Sequence, residues 1–338
     1  MTAPPPRPPR RELGTTGLAA SPIGLGLAAL GRPGYLNLGH GEDLAGERGV
    51  AELEARAHAV LDAAWAGGVR AFDAARSYGR AEAFLARWLA RRGIAPGDAL
   101  VSSKWGYTYT ADWRVDAETH EVKEHSLAAL RRQWPESREH LGDHLELYQI
   151  HSVTPDSPAL DDAALLGELA TLRRAGTRLG LSTSGPRQAE VIERAAALRV
   201  DGERLFDAVQ ATWNLLEPSV GPALAAARDA GLGVIVKEAL ANGRLTERNR
   251  EADFARRRAL LARQAERLNA TVDALALAAV LAQPWADVAL SGATTVAQLR
   301  SNLRALEVAW DDEASAALAA LAEPADAYWR RRAGMPWT

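Results

Sequence analysis

The feature that most constrains this chain is an alternation. Short apolar runs of strand character take turns with amphipathic helical stretches, and the pair recurs eight times without a gap. The apolar runs fall at residues 23–27, 69–72, 100–103, 145–150, 179–182, 208–210, 234–236 and 288–290. The helical stretches fall at 50–66, 81–92, 122–133, 163–175, 188–198, 221–230, 254–281 and 296–306, and one extra helix is expected over 311–321. Strands this short and this apolar are buried on both faces, as in a parallel sheet covered by helices. Gly93, Gly176 and Gly231 stand just past three of the helices, where a left-handed cap favours glycine. Two α/β architectures satisfy the pattern: an open doubly wound sheet and a closed (β/α)8 TIM barrel. Eight uninterrupted units favour the barrel.

The remaining sequence bounds the function. The chain has 338 residues, and a barrel with insertions absorbs that length. With no internal repeat or linker, residues 11–338 are expected to form a single barrel domain with a C-terminal extension. Residues 1–10, MTAPPPRPPR, read as a disordered or polyproline-like tail. That tail lacks the apolar core of a secretory signal. No apolar run approaches the roughly 18–20 residues of a membrane helix, so a cytoplasmic protein without membrane partners is expected. The net charge of −3 argues against a broad grip on a phosphate backbone, hence against nucleic acid. Cysteine is absent, which removes disulfides, thiolate metal sites and a cysteine nucleophile. His140 and His144 are four apart, but Gly142 separates them and no His-Glu pair opens the stretch, so no metal site is expected. The expected partner is a small molecule; the sequence leaves the oligomeric state open.

In a barrel, reactive groups sit at the C-terminal ends of strands and in the loops that follow. The second strand leads into Asp73 and Tyr78, the third ends at Lys104, and the fourth at His151. Neighbouring strands lie about 4.8 Å apart, so these groups can converge. Each alone has a plain structural role as a cap, loop anchor, surface lysine or rim histidine; their joint placement points to chemistry. A tyrosine is a weak acid with a pKa near 10. A Lys104 ammonium would favour the phenolate and lower that pKa. Asp73 would keep Lys104 charged and oriented. Tyr78 can then protonate a carbonyl oxygen as it becomes an alkoxide, with His151 donating a hydrogen bond to the same oxygen. No metal is needed, and such a relay suits a nicotinamide hydride donor.

Several segments carry a wider likeness: FDAARSYG (72–79), SSKWG (102–106), YQIHS (148–152), LSTSG (181–185), VQATWN (209–214) and SGATTVAQLRSNL (291–303), after an opening ELGTTGLAASPIGLGLAALG (12–31). In this order, from about residue 12 to 306, they resemble the aldo-keto reductase family. The resemblance implies a (β/α)8 barrel, a tetrad of Asp73, Tyr78, Lys104 and His151, and NAD(P)H extended across the C-terminal rim. It implies reduction of a carbonyl, or oxidation of an alcohol or sugar lactol, with Tyr78 as general acid or base. A Rossmann reading is unconvincing: Gly24-Leu25-Gly26 is followed by Leu27-Ala28-Ala29 and a long loop instead of a helix.

By the same resemblance, Ser182, Thr183 and Gln210 face the carboxamide, with Thr183 standing where asparagine is commoner. The strand-seven loop supplies Lys237, Glu238, Leu240, Gly243 and Arg244. Lys237 replaces an aromatic ring that stacks on the nicotinamide. Glu238 replaces a small serine near the pyrophosphate, a placement that needs Lys237 or Arg244 to neutralise it. Gly292, Thr294, Gln298 and Asn302 face the adenosine end, at a helix start suited to phosphate. Gln298, with Arg300 and Arg304 nearby, points to NADPH, with NADH left open. Trp105, Tyr107, Trp113 and Trp213 are candidates for a substrate cleft shaped by loops 31–48 and 105–122. The substrate could be a sugar, aldehyde, ketone or natural-product intermediate. Two other readings stand beside this one: a nicotinamide-binding regulatory subunit with little turnover, as in channel β-subunits that resemble the family, and a barrel lyase forming an imine on Lys237 or Lys104.

Overall fold

The computed structural model describes residues 10–338. The expectation for the proline tail falls outside them, apart from its final arginine. Eight strands form the centre: β1 (Ile23–Gly26), β2 (Ala71–Asp73), β3 (Leu100–Trp105), β4 (Leu145–Val153), β5 (Arg178–Thr183), β6 (Ala208–Thr212), β7 (Gly233–Lys237) and β8 (Val288–Ser291). Each pairs in parallel with the next, and β8 returns to β1 through Leu290 opposite Gly24. The sheet is closed, which excludes the open doubly wound alternative.

Alternate strand residues point to two cores, as a barrel requires. Ala71, Leu100, Leu147, Ala208, Ile235 and Val288 fill the interior. Phe72, Val101, Leu181, Val209 and Val234 face outward and meet the helices. The bottom of the barrel is closed by a small antiparallel ladder, Arg11–Glu12 with Ala19–Ala20. Leu13 between them plugs the interior against Gly233, where an added Cβ would lie 2.3 Å from Leu13 Cγ. Asp287 pins this plug by accepting from the backbone N–H of Gly14 (3.1 Å) and Val234 (2.8 Å).

Three elements differ from the sequence expectation. The helix expected at 122–133 runs over Leu127–Leu141, capped by Ser126 Oγ, which accepts from Ala129 N at 3.0 Å. Residues Glu121–Lys123 instead form a strand against Tyr107–Tyr109. Pro135 sits inside that helix. The stretch 254–281 is two helices, Ala255–Arg267 and Val272–Leu281. They are separated at Asn269 (φ 50°) and restarted by a Thr271 cap. A final helix, Ala325–Ala333, follows Pro324 and lies beyond every repeat of the pattern.

The loops after β1, β3 and β7 and the chain end all gather on the C-terminal face of the barrel. Thr338 and Tyr35 exchange backbone hydrogen bonds at 3.2 Å, tying the C-terminus to the β1 loop. No helix among the described residues is long and apolar enough to cross a membrane. Among the same residues, no group of three or more acidic or histidine side chains is placed to hold a metal ion.

Candidate active site

Asp73 ends β2, Lys104 lies near the end of β3, and His151 lies in β4, so the sheet register brings the three together. Tyr78 reaches the same point from the turn after β2. Lys104 is fully buried; its ammonium pairs with the Asp73 carboxylate and donates to the Ala74 carbonyl at 2.9 Å. Asp73 also accepts from Ser102 Oγ (2.7 Å), Gln149 Nε2 (3.2 Å) and Gln210 Nε2 (3.2 Å). A buried ion pair needs further hydrogen bonds around it, and Asp73 has three besides Lys104. The Tyr78 hydroxyl lies 3.5 Å from His151 Nε2, and its ring centre lies 4.8 Å from Lys104 Nζ. The Ser77 hydroxyl lies 3.4 Å from His151 Nδ1 and steadies the ring.

These surroundings set the protonation states. Burial, followed by the Asp73 charge, pushes the Tyr78 phenol well above its ordinary pKa. The expected lowering by Lys104 is thus outweighed by the loss of water and the Asp73 charge. Burial, together with the Lys104 and Lys237 charges, pushes the His151 imidazole well below its usual range. The pair is therefore a neutral phenol beside a neutral imidazole. Such a pair can donate two hydrogen bonds to one oxygen and release one proton to it.

A cavity of about 640 Å³ opens above this floor and runs to the start of helix Val296–Leu303. Asp73, Tyr78, Tyr107 and His151 border one end. Gln210, Lys237, Glu238, Leu240 and Gly243 border the middle, and Gly292, Gln298 and Asn302 the far end. Other expected site residues lie elsewhere. Ser182 is buried and accepts from Ser152 N at 2.7 Å. Thr183 is buried and donates to Gln188 Oε1 at 3.0 Å. Ser152 and Ser184 border the cavity instead. Trp105 is buried and packs on His125, Trp213 packs edge-on against Trp285, and Trp113 donates to the Arg48 carbonyl; none of the three borders the cavity.

The β7 loop resolves its awkward charges in an unforeseen way. Glu238 adopts a left-handed backbone (φ 55°) and points its carboxylate at Arg332 of the last helix. Arg332 donates to it at 2.6, 2.9 and 3.1 Å, and Thr212 Oγ1 donates at 3.1 Å. Burial alone would raise the Glu238 carboxyl. Arg332, Lys237 and these hydrogen bonds more than offset that and hold it at about 2. Arg244, the other expected neutraliser, pairs with Glu323 at 2.6 Å and faces away from the cavity. Lys237 donates to Thr212 Oγ1 at 2.7 Å, and burial brings its ammonium down to about 8.

Several residues at the cavity carried no sequence signal. Arg32 pairs with Glu121, donates to the Ser77 carbonyl at 2.9 Å, and lies between the rings of Trp337 (4.7 Å) and Tyr78 (5.3 Å). Arg32 and Glu121 fall in the two loops expected to shape the pocket. Arg332 and Trp337 lie beyond the last unit, where no periodicity marks them. At the far end, Thr294 is buried against Asp43, and Arg248 joins them.

Residues 22–323 match the model of the aldo/keto reductase family. Aldo-keto reductase str7 of Strobilurus tenacellus is 27% identical, covering 97% of this chain and 96% of that protein. The uncharacterized oxidoreductase YrpG of Bacillus subtilis is also 27% identical, covering 78% of this chain and 86% of that one. Among solved structures, the holo form of aldo-keto reductase AKR11C1 from Bacillus halodurans superposes with a TM-score of 0.72 at 20% identity, covering 94% of this chain and 98% of that one. This last likeness shows the shared fold. The closed barrel and the family match over most of the sequence lead to one conclusion: this chain belongs to the aldo/keto reductase family of oxidoreductases.

Proposed function

We propose that this oxidoreductase reduces a carbonyl compound, and oxidises the corresponding alcohol in reverse, with Tyr78 as the proton donor or acceptor. One observation carries the reading: at the cavity floor a neutral Tyr78 phenol lies 3.5 Å from a neutral His151 imidazole, above the buried Lys104–Asp73 pair. A carbonyl oxygen placed between Tyr78 and His151 receives a hydrogen bond from each. As charge builds on that oxygen, Tyr78 passes its proton to it. The Lys104 ammonium beneath the ring then stabilises the phenolate that remains. In the reverse direction the phenolate takes the proton of an alcohol.

The residues present fit a nicotinamide dinucleotide. The cavity extends from Tyr78 to a helix N-terminus, where backbone N–H groups favour phosphate. Gly292 leaves open space there, since an added Cβ would meet nothing within 4 Å. NADPH or NADH supplies the hydride when bound. Gln210 and Asn302 offer amide groups along the wall. Tyr35, Tyr107 and Trp337 give the mouth an aromatic lining suited to an aldehyde, a ketone or a sugar.

The test is a titration of the purified protein with NADPH and with NADH, followed by quenching of tryptophan fluorescence, then a panel of carbonyl substrates. Saturable binding with turnover is expected. Tyr78→Phe should lower turnover by about 10²–10⁴-fold, the usual worth of a general acid, with cofactor binding nearly unchanged. Full activity in that variant overturns the assignment of Tyr78. Tight binding without turnover across the panel favours the regulatory-subunit reading instead.

A further inference from the structure

The end of the cavity farthest from Tyr78 is built around a carboxylate of the chain itself. Asp43 comes from the short helix His40–Leu44 in the β1 loop. Its Oδ2 accepts from Thr294 Oγ1 at 2.9 Å, Gln298 Nε2 at 2.8 Å and Arg248 Nη1 at 2.8 Å. Its Oδ1 accepts from Arg248 Nη2, and the side chain is 5% exposed. Three side-chain donors at this end, Thr294, Gln298 and Arg248, are thus already committed to an anion. Arg248 and Gln298 border the cavity, so Asp43 lies directly behind its wall.

The rest of that end is acidic. Glu247 and Asp273 border it. Asp273 accepts from Asn302 Nδ2 at 2.7 Å and from Ser301 Oγ at 3.0 Å. Arg248 is the one cation among the described residues bordering this end, and Asp43 neutralises it. Arg300 is exposed on the outside of its helix, and Arg304 donates to the Asn269 carbonyl; neither borders the cavity. The two arginines that made NADPH attractive from sequence are therefore turned elsewhere.

We propose that Asp43 makes this site select NADH over NADPH. The proposal rests on the nicotinamide dinucleotide reading above. A 2′-phosphate brings about −1.5 to −2 charge at pH 7, which here meets Glu247 and Asp273 at the wall and one arginine already paired with Asp43 behind it. A ribose 2′-hydroxyl brings no charge and so needs no free cation at this end, where Asp43 holds Arg248. Asp43 thus sets selectivity through Arg248, as a positioning residue held by Thr294 and Gln298.

Isothermal titration of the whole protein with NADH and with NADPH tests this, repeated on Asp43→Asn and Asp43→Ala. The wild type should bind NADH at least about tenfold more tightly than NADPH, as expected for added like charge at close range. Asp43→Asn should lose most of that ratio, chiefly by tighter NADPH binding. Thermal melts identify a variant that fails to fold, in which case the wild-type ratio decides alone. Equal or reversed preference in the wild type, or an unchanged ratio in folded Asp43→Asn, overturns the role of Asp43 and leaves the dinucleotide reading intact. Absence of saturable binding of either dinucleotide to the wild type overturns both.

Discussion

Arg332 is the residue on which the charge balance of the β7 loop turns, so Arg332→Leu tests the structure sharply. Glu238 keeps only 7% of its side chain exposed, while Arg332 keeps 25%. Removing Arg332 strands the carboxylate with Thr212 at 3.1 Å and Lys237 at 3.9 Å. Breaking a buried pair from one side costs about 3–5 kcal/mol. The surviving partners and the partial exposure of Arg332 reduce that to about 2–3 kcal/mol. Linkage gives a similar size: holding Glu238 at about 2 instead of 4.5 corresponds to about 3 kcal/mol at neutral pH. With an unfolding entropy of about 2 cal/mol/K per residue over 338 residues, this is a fall of about 3–4 °C in Tm. The sign with pH follows. A depressed carboxyl stabilises above its unfolded pKa, and that contribution fades as pH falls from about 4.5 towards 2. The gap between wild type and Arg332→Leu should therefore be widest near pH 7 and close towards pH 2. Glu238→Gln leaves an arginine that can turn to water, so it should cost less, and adding Arg332→Leu to it should cost little more. Melts by circular dichroism across pH 2–7 measure all of this. A Tm within 1 °C of wild type at pH 7, or a gap that does not change with pH, would refute the reasoning.

Two further outcomes follow from the same geometry. Lys237 is brought down to about 8 by burial, so its charge penalises the fold below that pH, and stability should rise from pH 8 towards 10.5; Lys237→Met should lose this rise, and parallel pH–stability profiles for the two proteins would contradict it. Removing residues 335–338 deletes Trp337, whose ring stacks on His120 at 4.0 Å and covers Arg32; KM for bulky carbonyls should fall relative to small ones, and an unchanged ratio would remove Trp337 from the substrate wall.

The barrel was legible because its strands and helices are periodic. All eight apolar runs became neighbouring strands, and helices Val50–Ala66 and Ala81–Arg92 begin and end where their patterns do. Residues tied to a strand end were legible for the same reason: Asp73, Lys104 and His151 meet because β2, β3 and β4 are adjacent. The failures are of two kinds. Ser182 and Thr183 stand in the right strand, but the direction of a small polar side chain depends on local partners, and Ser152 and Gln188 take them. The helix expected from 122 starts later because Glu121–Lys123 pair as a strand with Tyr107–Tyr109, a contact that no local pattern marks.

The charge pairs of the cavity lie beyond such reading, and for a physical reason. A barrel's repeating units fix where strand ends point, but the loops and the chain end that cover them obey no period. Arg332 meets Glu238 across 94 positions, Asp43 meets Gln298 across 255, and Arg32 meets Glu121 across 89. The sequence displays each of these charges without its partner, so an isolated Glu238 beside a cofactor loop looks repulsive. Once paired, it is a fixed dipole whose negative end is spent on Arg332. The same logic runs the other way at Arg300 and Arg304, which look like phosphate ligands in the sequence and point away from the cavity in the fold. The groups at the floor are placed by the strands; the charge pairs above them are made only by the closed tertiary structure.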